Sequence, residues 1–366
     1  MNAPDTGAGG RGGPLALART GDRPAFDRLV GPYRRELHLH AYRMLGSFHD
    51  ADDVVQETLL RAWRALDRFE ERRGTADDPV RAWLYRIATN RCLTLLETRA
   101  RRELPTGFGH DERPPDDIAW LEPYPDALLD ADPGTAALRR ESVELAFVVA
   151  LQRLSPMQRA AVVLRDVLDF PAREAADVLD TTVPSVNSAL QRARRALAAG
   201  RRPGDSRTQR QELGALPPGE LRALARRYAR AWDRGDVDAI VAMLGDDVRY
   251  SMPPGATWYE GPDAVREFLV RYPLTLRWRF VPTRSNGQLA FGAYLLDEGS
   301  GRFRPVGVDV LTLRSGRVSA VTAFLTADLT PWGLPEEPPE GELEGESAGE
   351  PAGEPDAGPG EGPGAE

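Results

Sequence analysis

Lysine is missing altogether: all 47 basic residues in this 366-residue chain are arginine. Coding bias explains that as readily as phosphate chemistry does, so it excludes nothing. The other scarcities say more. A single cysteine, Cys92, rules out an intrachain disulfide and any cysteine-rich zinc site, and suits a small residue packed between helices. The longest apolar run is Leu145 to Leu151, far short of the ~20 residues that a membrane-spanning helix needs. The glycine-rich N-terminus has no apolar stretch of a signal peptide, so a cytoplasmic protein with no membrane partner is expected. His38, His40, His49 and His110 are the only histidines; the first three, lacking Cys partners or metal-ligand spacing, read as surface or packing residues. No metal or cofactor is implied. Gly7, Gly9 and Gly12 satisfy G-x-G-x-x-G, but no strand precedes them and no helical pattern follows directly, so a nucleotide site is rejected.

The length accommodates two to three domains, each with its own core. The net charge of −9 is an average that misleads. Residues 335–366 hold ten Glu, one Asp and no basic residue, which leaves the rest of the chain at +2. The body is mildly basic and its arginines cluster.

The stretch from Asp50 to Arg102 organises the chain. Val55, Leu59, Ala62, Leu66 and Phe69 recur at steps of four and three, a single apolar stripe on one helix, with Asp53, Gln56, Glu57, Arg64 and Asp67 elsewhere. In the next helix Trp83, Ile87, Leu93 and Leu96 can supply a core stripe. That leaves Tyr85, Arg86, Asn90, Arg91, Arg99, Arg101 and Arg102 as a basic, aromatic-punctuated surface suited to single-stranded nucleic acid. Taken one at a time, Trp63, Trp83 and these arginines also fit a plain helical bundle with a solvated face.

Together, the Asp53, Gln56, Glu57 run with Leu60-Arg61-Ala62-Trp63, and Trp83 to Ala88 with Asn90-Arg91, resemble region 2 of bacterial RNA polymerase sigma factors of the extracytoplasmic-function (ECF) type. The resemblance implies that Asp53, Val54, Gln56, Glu57, Leu60 and Arg61 bind core polymerase at the clamp helices of its largest subunit. It further implies that Trp83, Tyr85, Arg86, Asn90 and Arg91 open and read the single-stranded minus-10 element of the promoter. Upstream, Phe26, Val30, Tyr33, Leu37, Ala41 and Met44 predict one long amphipathic helix ending at Gly46.

Residues 103–137 break the periodicity with prolines and acids, the composition of a disordered spacer. The resemblance implies that this linker threads the active-site and RNA-exit channels of the polymerase, yet Trp120, Leu121 and Tyr124 are apolar enough to dock on something. A second helical domain follows. Ser155-Pro156 supplies an N-cap with proline at the first helical position. A short Ala-rich segment, 172–179, then turns at Asp180-Thr181-Thr182 into a helix from Val183 to Ala198, the spacing of a helix-turn-helix. Arg192, Arg194, Arg195, Arg201 and Arg202 give its end a phosphate-facing charge with no acid among them. Asp180 stands where glycine is common, and Asp tolerates the left-handed conformation. Leu154 to Arg159 and Ser185 to Arg194 resemble sigma region 4. On that basis Pro184, Ser185, Asn187, Ser188, Gln191, Arg192, Arg194 and Arg195 meet the duplex minus-35 element, and part of the domain sits on the flap of the second-largest polymerase subunit.

After a polar linker, three helices are marked by Leu221 to Trp232, Val237 to Leu244 and Val265 to Tyr272. Leu274, Leu276, Trp278 and Phe280 alternate with polar residues as a half-buried strand. Asn286-Gly287 and Ser315-Gly316 predict two hairpins. This order resembles the SnoaL-like, NTF2-like fold, a cone of sheet and helices around a pocket, in which Trp258, Tyr259 and Asp309 are candidate pocket residues. Asp309, between Val308 and Val310, is a base of raised pKa facing the pocket, or lies on the outer face, or binds a ligand or another domain.

The expected architecture is multidomain, two all-α domains followed by an α+β NTF2-like cone: leader 1–21, region 2 over 22–102, acidic linker 103–137, region 4 over 138–202, linker 203–218, cone domain 219–334 and a disordered acidic tail 335–366. The tail is a solubilising end or a shield for the arginine-rich DNA surfaces. The favoured function is a non-enzymatic sigma factor whose cone domain regulates it. The alternative is a DNA-binding regulator fused to a ligand-sensing or catalytic cone. No anti-sigma partner or pocket ligand can be named from the sequence.

Overall fold

Ser47, Ser155 and Thr208 each accept a hydrogen bond from the backbone amide three residues on, and each opens a helix. The computed structural model describes residues 13–70, 78–98, 102–107, 119–129, 141–199 and 207–339. Arg99, Arg101, Arg201, Arg202, His110 and the acidic segment from Glu340 lie outside those residues.

The first bundle contains α1 (Pro14–Arg19), α2 (Arg23–Val30), α3 (Arg34–Leu45), α4 (Phe48–Ala65) and α5 (Pro79–Thr98). The single helix expected from Phe26 is broken by a 3-10 turn, Gly31–Tyr33, because Pro32 has no amide to donate and crowds the preceding turn. Its far end falls where expected, at Gly46 with φ +70°. The whole predicted stripe is buried, Val55, Leu59 and Ala62 on α4 and Leu66 and Phe69 in and after the 3-10 turn that follows it. On α5 it is rotated: Leu84, Tyr85, Ala88, Thr89 and Cys92 point inward, while Trp83, Ile87, Leu93 and Leu96 are only half-buried. The reason is that α5 is packed by α3 and α4 and also by the second helical domain, so a stripe drawn for one neighbour misses the other.

The linker is not a mere spacer in its described parts. A short parallel pair, β1 (Arg102–Glu103) with β2 (Ala119–Trp120), leads into Leu121 and Tyr124, which are fully buried. The Tyr124 ring packs on His38, Tyr42 and Phe48 with centroids 5.5, 4.6 and 5.8 Å away. Full burial of such side chains contributes about 1.5–3 kcal/mol each, enough to fix a chain that composition alone assigns to solvent.

The second helical domain runs α6 (Leu145–Gln152), α7 (Pro156–Val162) continued by a π-helical turn, α8 (Ala172–Val178) and α9 (Val183–Ala199). Asp180 sits at φ +50° in the α8–α9 turn, the conformation that lets Asp replace glycine. The expected polar linker contains a helix, α10 (Gln209–Gly214).

The C-terminal domain carries α11 (Glu220–Asp233), α12 (Val237–Ala242), β3 (Leu244–Ser251), β4 (Trp258–Glu260), α13 (Pro262–Arg271), β5 (Trp278–Ser285), β6 (Gln288–Asp297), β7 (Arg302–Arg314) and β8 (Arg317–Leu325). Leu244 belongs to β3, a strand whose weak alternation gave no sequence signal. β5 begins at Trp278, not Leu274, since Pro273–Thr275 form a 3-10 turn and Leu276 is half exposed. The sheet order is β4-β3-β8-β7-β6-β5, antiparallel except between β3 and β8. Register shifts at Ala293/Tyr294 and Thr312/Leu313 bend it into a cone. Both faces are buried. Phe291, Leu311, Leu313 and Val321 face the cone core with α11 and α13. Ala290, Tyr294, Val308, Val310 and Phe324 join the core of the helical domains.

Candidate polymerase and promoter interfaces

Of the residues proposed for core polymerase, Asp53, Gln56, Leu60 and Arg61 are exposed on one face of α4, and Leu60 leaves 52% of its surface in water. Glu57 is half-buried and holds Arg61 at 2.6 Å. Val54 is not on that face: it is fully buried, since its position falls on the inward side of the helix. Leu60 is thus an exposed leucine beside the Glu57–Arg61 ion pair, a face open to an apolar partner surface.

On α5, Arg86 and Asn90 are exposed and Arg91 is half-buried. Tyr85 departs from the expectation. Its ring is fully buried between His40 and Phe170, both with centroids 5.0 Å away, and its hydroxyl lies 3.3 Å from Glu36, so it offers no free face to a base here. Trp83 is half-buried and tilted on Phe69 at 4.7 Å. Arg102 also leaves the basic surface. It pairs with Asp50 at 2.8 Å and donates to the Trp120 carbonyl.

Pro184, Ser185, Asn187, Ser188, Gln191, Arg192, Arg194 and Arg195 are all exposed along α9, while Val186, Ala189, Leu190 and Ala193 anchor it. Two of the arginines expected at DNA are engaged within the chain. Arg194 makes a bidentate pair with Asp166 at 2.6 and 2.9 Å. Arg86 of the first domain bonds Asp180 in the helix-turn-helix turn at 3.1 Å. Both pairs are solvent-exposed and individually weak.

A buried polar cluster without a sequence signal lies where the helical domains, the linker and the sheet domain meet. Asn286, in the β5–β6 turn at φ +57°, is fully buried. Its Nδ2 donates to Tyr42 Oη of α3 and to the Val143 carbonyl, both at 2.8 Å, and its Oδ1 accepts from the Tyr124 amide at 2.8 Å. Beside it, the Gly287 amide donates to Asp126 at 2.8 Å and the Leu145 amide donates to Gln288 at 3.0 Å. One hairpin turn is thus bonded to the first bundle, the linker and the second helical domain. Glu144 adds a second tie by accepting the Gln209 and Arg210 amides at the start of α10, and burial pushes its carboxyl up to about 7. Arg159 of α7 is buried too, donating to the Met44 carbonyl and to Gln152. In sequence Asn286-Gly287 reads as an ordinary hairpin turn; no local signal separates a turn that plugs an interface from one in water.

Inside the cone, Asp309 is buried and accepts from Tyr228 at 3.1 Å, with Tyr250 also hydrogen-bonded to it. Burial raises its carboxyl to about 7, and the two tyrosines counter this. The outer-face alternative is thereby corrected: strand alternation puts Asp309 with Leu311 and Leu313 on the cone side. Tyr228 stacks on Phe291 and Trp232 on Phe280, each at 4.6 Å, so rings fill the space beside it. Trp258 is buried under Arg249, and Tyr259 stacks on Phe268 at 4.3 Å. Burial holds His38 and His40 neutral, lowering them to about 4 and 3, as fits packing residues. Among the described residues no His, Cys, Asp and Glu grouping could hold a metal, and no helix is long and apolar enough to cross a membrane.

The chain matches Sigma-70 region 2 over residues 29–102, Sigma-70 region 4 over 144–197 and a SnoaL-like domain over 225–321. It is 42% identical over 330 residues to the ECF RNA polymerase sigma factor SigG of Mycobacterium tuberculosis, covering 87% of this chain and 85% of that one. It is 32% identical over 304 residues to SigJ of the same organism, covering 79% and 88%. The crystal structure of the M. tuberculosis extracytoplasmic-function sigma factor SigJ aligns with a TM-score of 0.53 at 26% identity, over 84% of this chain and 98% of that one. Helical sigma regions followed by a sheet-rich cone are therefore a shared architecture, and the chain belongs to the ECF RNA polymerase sigma factors, as a member with a C-terminal SnoaL-like domain.

Proposed function

We propose that α4 docks on the clamp helices of core polymerase through Asp53, Gln56, Leu60 and Arg61, with Glu57 orienting Arg61. Arg86, Asn90, Arg91 and Trp83 work on the minus-10 strand, and the exposed residues of α9 read the minus-35 duplex. The flap of the second-largest subunit receives the second helical domain. Phosphate charge from arginine and a stackable indole suit these roles.

The C-terminal domain, on this reading, has a regulatory role: it holds the two promoter-reading domains against each other. The observation that carries it is Asn286, bonded at once to Tyr42, Tyr124 and Val143. While those bonds last, Arg86 faces Asp180 instead of a DNA phosphate, and Tyr85 stays under Phe170. Promoter engagement then requires the junction to open, after which Tyr85 joins the strand-reading face. Nothing in this role calls for catalysis. Gel filtration of the full-length protein with bacterial core polymerase, followed by strand-opening footprints on a cognate promoter, tests the assignment. Gln56→Ala with Leu60→Ala should lose co-elution and keep the fold; Arg86→Ala should co-elute yet fail to open the strand. Normal opening by Arg86→Ala would remove the minus-10 assignment, and faster opening by Asn286→Ala would support the restraining role.

A further inference from the structure

We propose that the acidic segment beginning at Glu340 docks in an arginine-lined cleft of the SnoaL-like domain. The cleft, about 670 Å³, opens between α11, α12 and the β7–β8 turn. Arg227 and Arg230 on α11 and Arg234 at its C-cap follow one another at steps of three and four, which puts them in one row along the wall, and Arg317 lines the cleft from β8. Leu224 and Met243 give it an apolar floor. Arg317 spends its N–H groups on the carbonyls of Leu244 and Ala242, at 3.0 and 3.2 Å, not on a carboxylate. Asp236, the acid in the lining, caps α12 by accepting the Ala239 amide at 2.9 Å. Arg227 bonds Glu220 at 2.9 Å on the open surface, where such a pair contributes only ~0–1 kcal/mol and yields to competition. By formal charge, four arginines against Asp236 give the lining an excess of positive charge over an apolar floor.

A complementary occupant exists on the same chain. Residues 340–366 contain eight Glu, one Asp and no arginine. They open with glutamates at 340, 342, 344 and 346. Alternate residues of an extended chain share one side, roughly 6.5–7 Å apart. The arginines of α11 are separated by roughly 4.5 and 6 Å of helix rise, close enough for flexible side chains to match. The route is short. The chain reaches Pro339 already held by arginines: Glu337 pairs with Arg302 at 2.9 Å, and the Pro339 carbonyl accepts from Arg279 at 3.2 Å. Arg279 also attracts Asp233 at the C-terminal end of α11, one residue before Arg234, where the arginine row starts. Seven extended residues reach roughly 23 Å, about twice the diameter of a helix. Tethering supplies an effective concentration of the order of millimolar, so several weak ion pairs suffice.

The test is a dye on Ser347→Cys in the full-length protein, since Cys92 is buried and stays unlabelled. At low salt the dye anisotropy should stand well above that of a labelled peptide of residues 340–350. Arg230→Glu with Arg234→Glu should bring it down to the peptide value, and so should salt at ~0.5 M, where screening shortens to a few ångströms. Restoring opposite charge, by changing the four glutamates to arginine in that double variant, should recover at least half of the lost anisotropy. Neutral Arg230→Gln with Arg234→Gln stands in if charge reversal unfolds the domain. Anisotropy indifferent to both arginine pairs of changes in folded protein would overturn the proposal. So would a fall produced instead by Arg192→Glu with Arg195→Glu, which would put the segment on the recognition helix.

Discussion

Removing the Asn286 side chain should unlatch the junction. Asn286→Ala deletes the acceptor of the Tyr124 amide and the donor to the Val143 carbonyl, and both groups are buried. Tyr42 is less affected, because its hydroxyl still donates to the Glu122 carbonyl at 2.8 Å. Two orphaned buried groups at about 1–3 kcal/mol each give a loss of roughly 2–6 kcal/mol. Alanine at φ +57° adds about 1–2 kcal/mol of backbone strain that glycine would not. A single unfolding curve is a poor gauge in a multidomain chain, so native-state hydrogen exchange of neighbouring amides is the assay. The Gly287 amide, bonded to Asp126, and the Leu145 amide, bonded to Gln288, report the same opening without being touched by the substitution. With ~3 kcal/mol as a working figure, their protection should fall about a hundredfold in Asn286→Gly and further in Asn286→Ala. Protection unchanged within about threefold in both would refute the view that this turn holds the domains together.

Other outcomes follow from the same structure. Cys92, its thiol pushed up to about 12 by burial, should resist maleimide at pH 8 until the protein unfolds, as mass spectrometry of the labelled chain would report. Asp309 has a folded pKa of about 7, above its ordinary value of 3.8, so the folded state binds the extra proton. Its contribution is full below the unfolded pKa and declines as pH rises toward 7. Asp309→Asn should therefore flatten the pH dependence of melting between about 4 and 7 without abolishing it, since Glu144 is raised in the same way. Asp180→Asn removes the charge from an exposed pair with Arg86 and keeps a side chain that tolerates φ +50°, so thermal stability should move by less than about 1 kcal/mol, measured by calorimetry. Gly46→Ala should be far more damaging, since a Cβ there would sit 2.8 Å from Leu121 Cδ1 at a positive φ; loss of soluble protein or a large drop in melting temperature would report it.

By itself the sequence determined the local elements and the family. Period and caps placed α4, α7 and α9, because a helix with one buried side writes that side into its spacing. The paired φ-positive turns at Asn286-Gly287 and Ser315-Gly316 announced two hairpins, since few residues tolerate that backbone. The exposed candidates on α4 and α9 were legible for the same reason. Tertiary structure decided the rest. The rotation of α5, which buried Tyr85, depends on a second neighbour far away in sequence, and so does the docking of Tyr124. Asn286 looks the same in sequence whether its turn meets water or three other segments; only the packed fold gives its amide Tyr42, Tyr124 and Val143 to bond. Local sequence encodes which conformations are cheap, whereas the desolvation that makes a polar side chain decisive arises only when distant surfaces close over it.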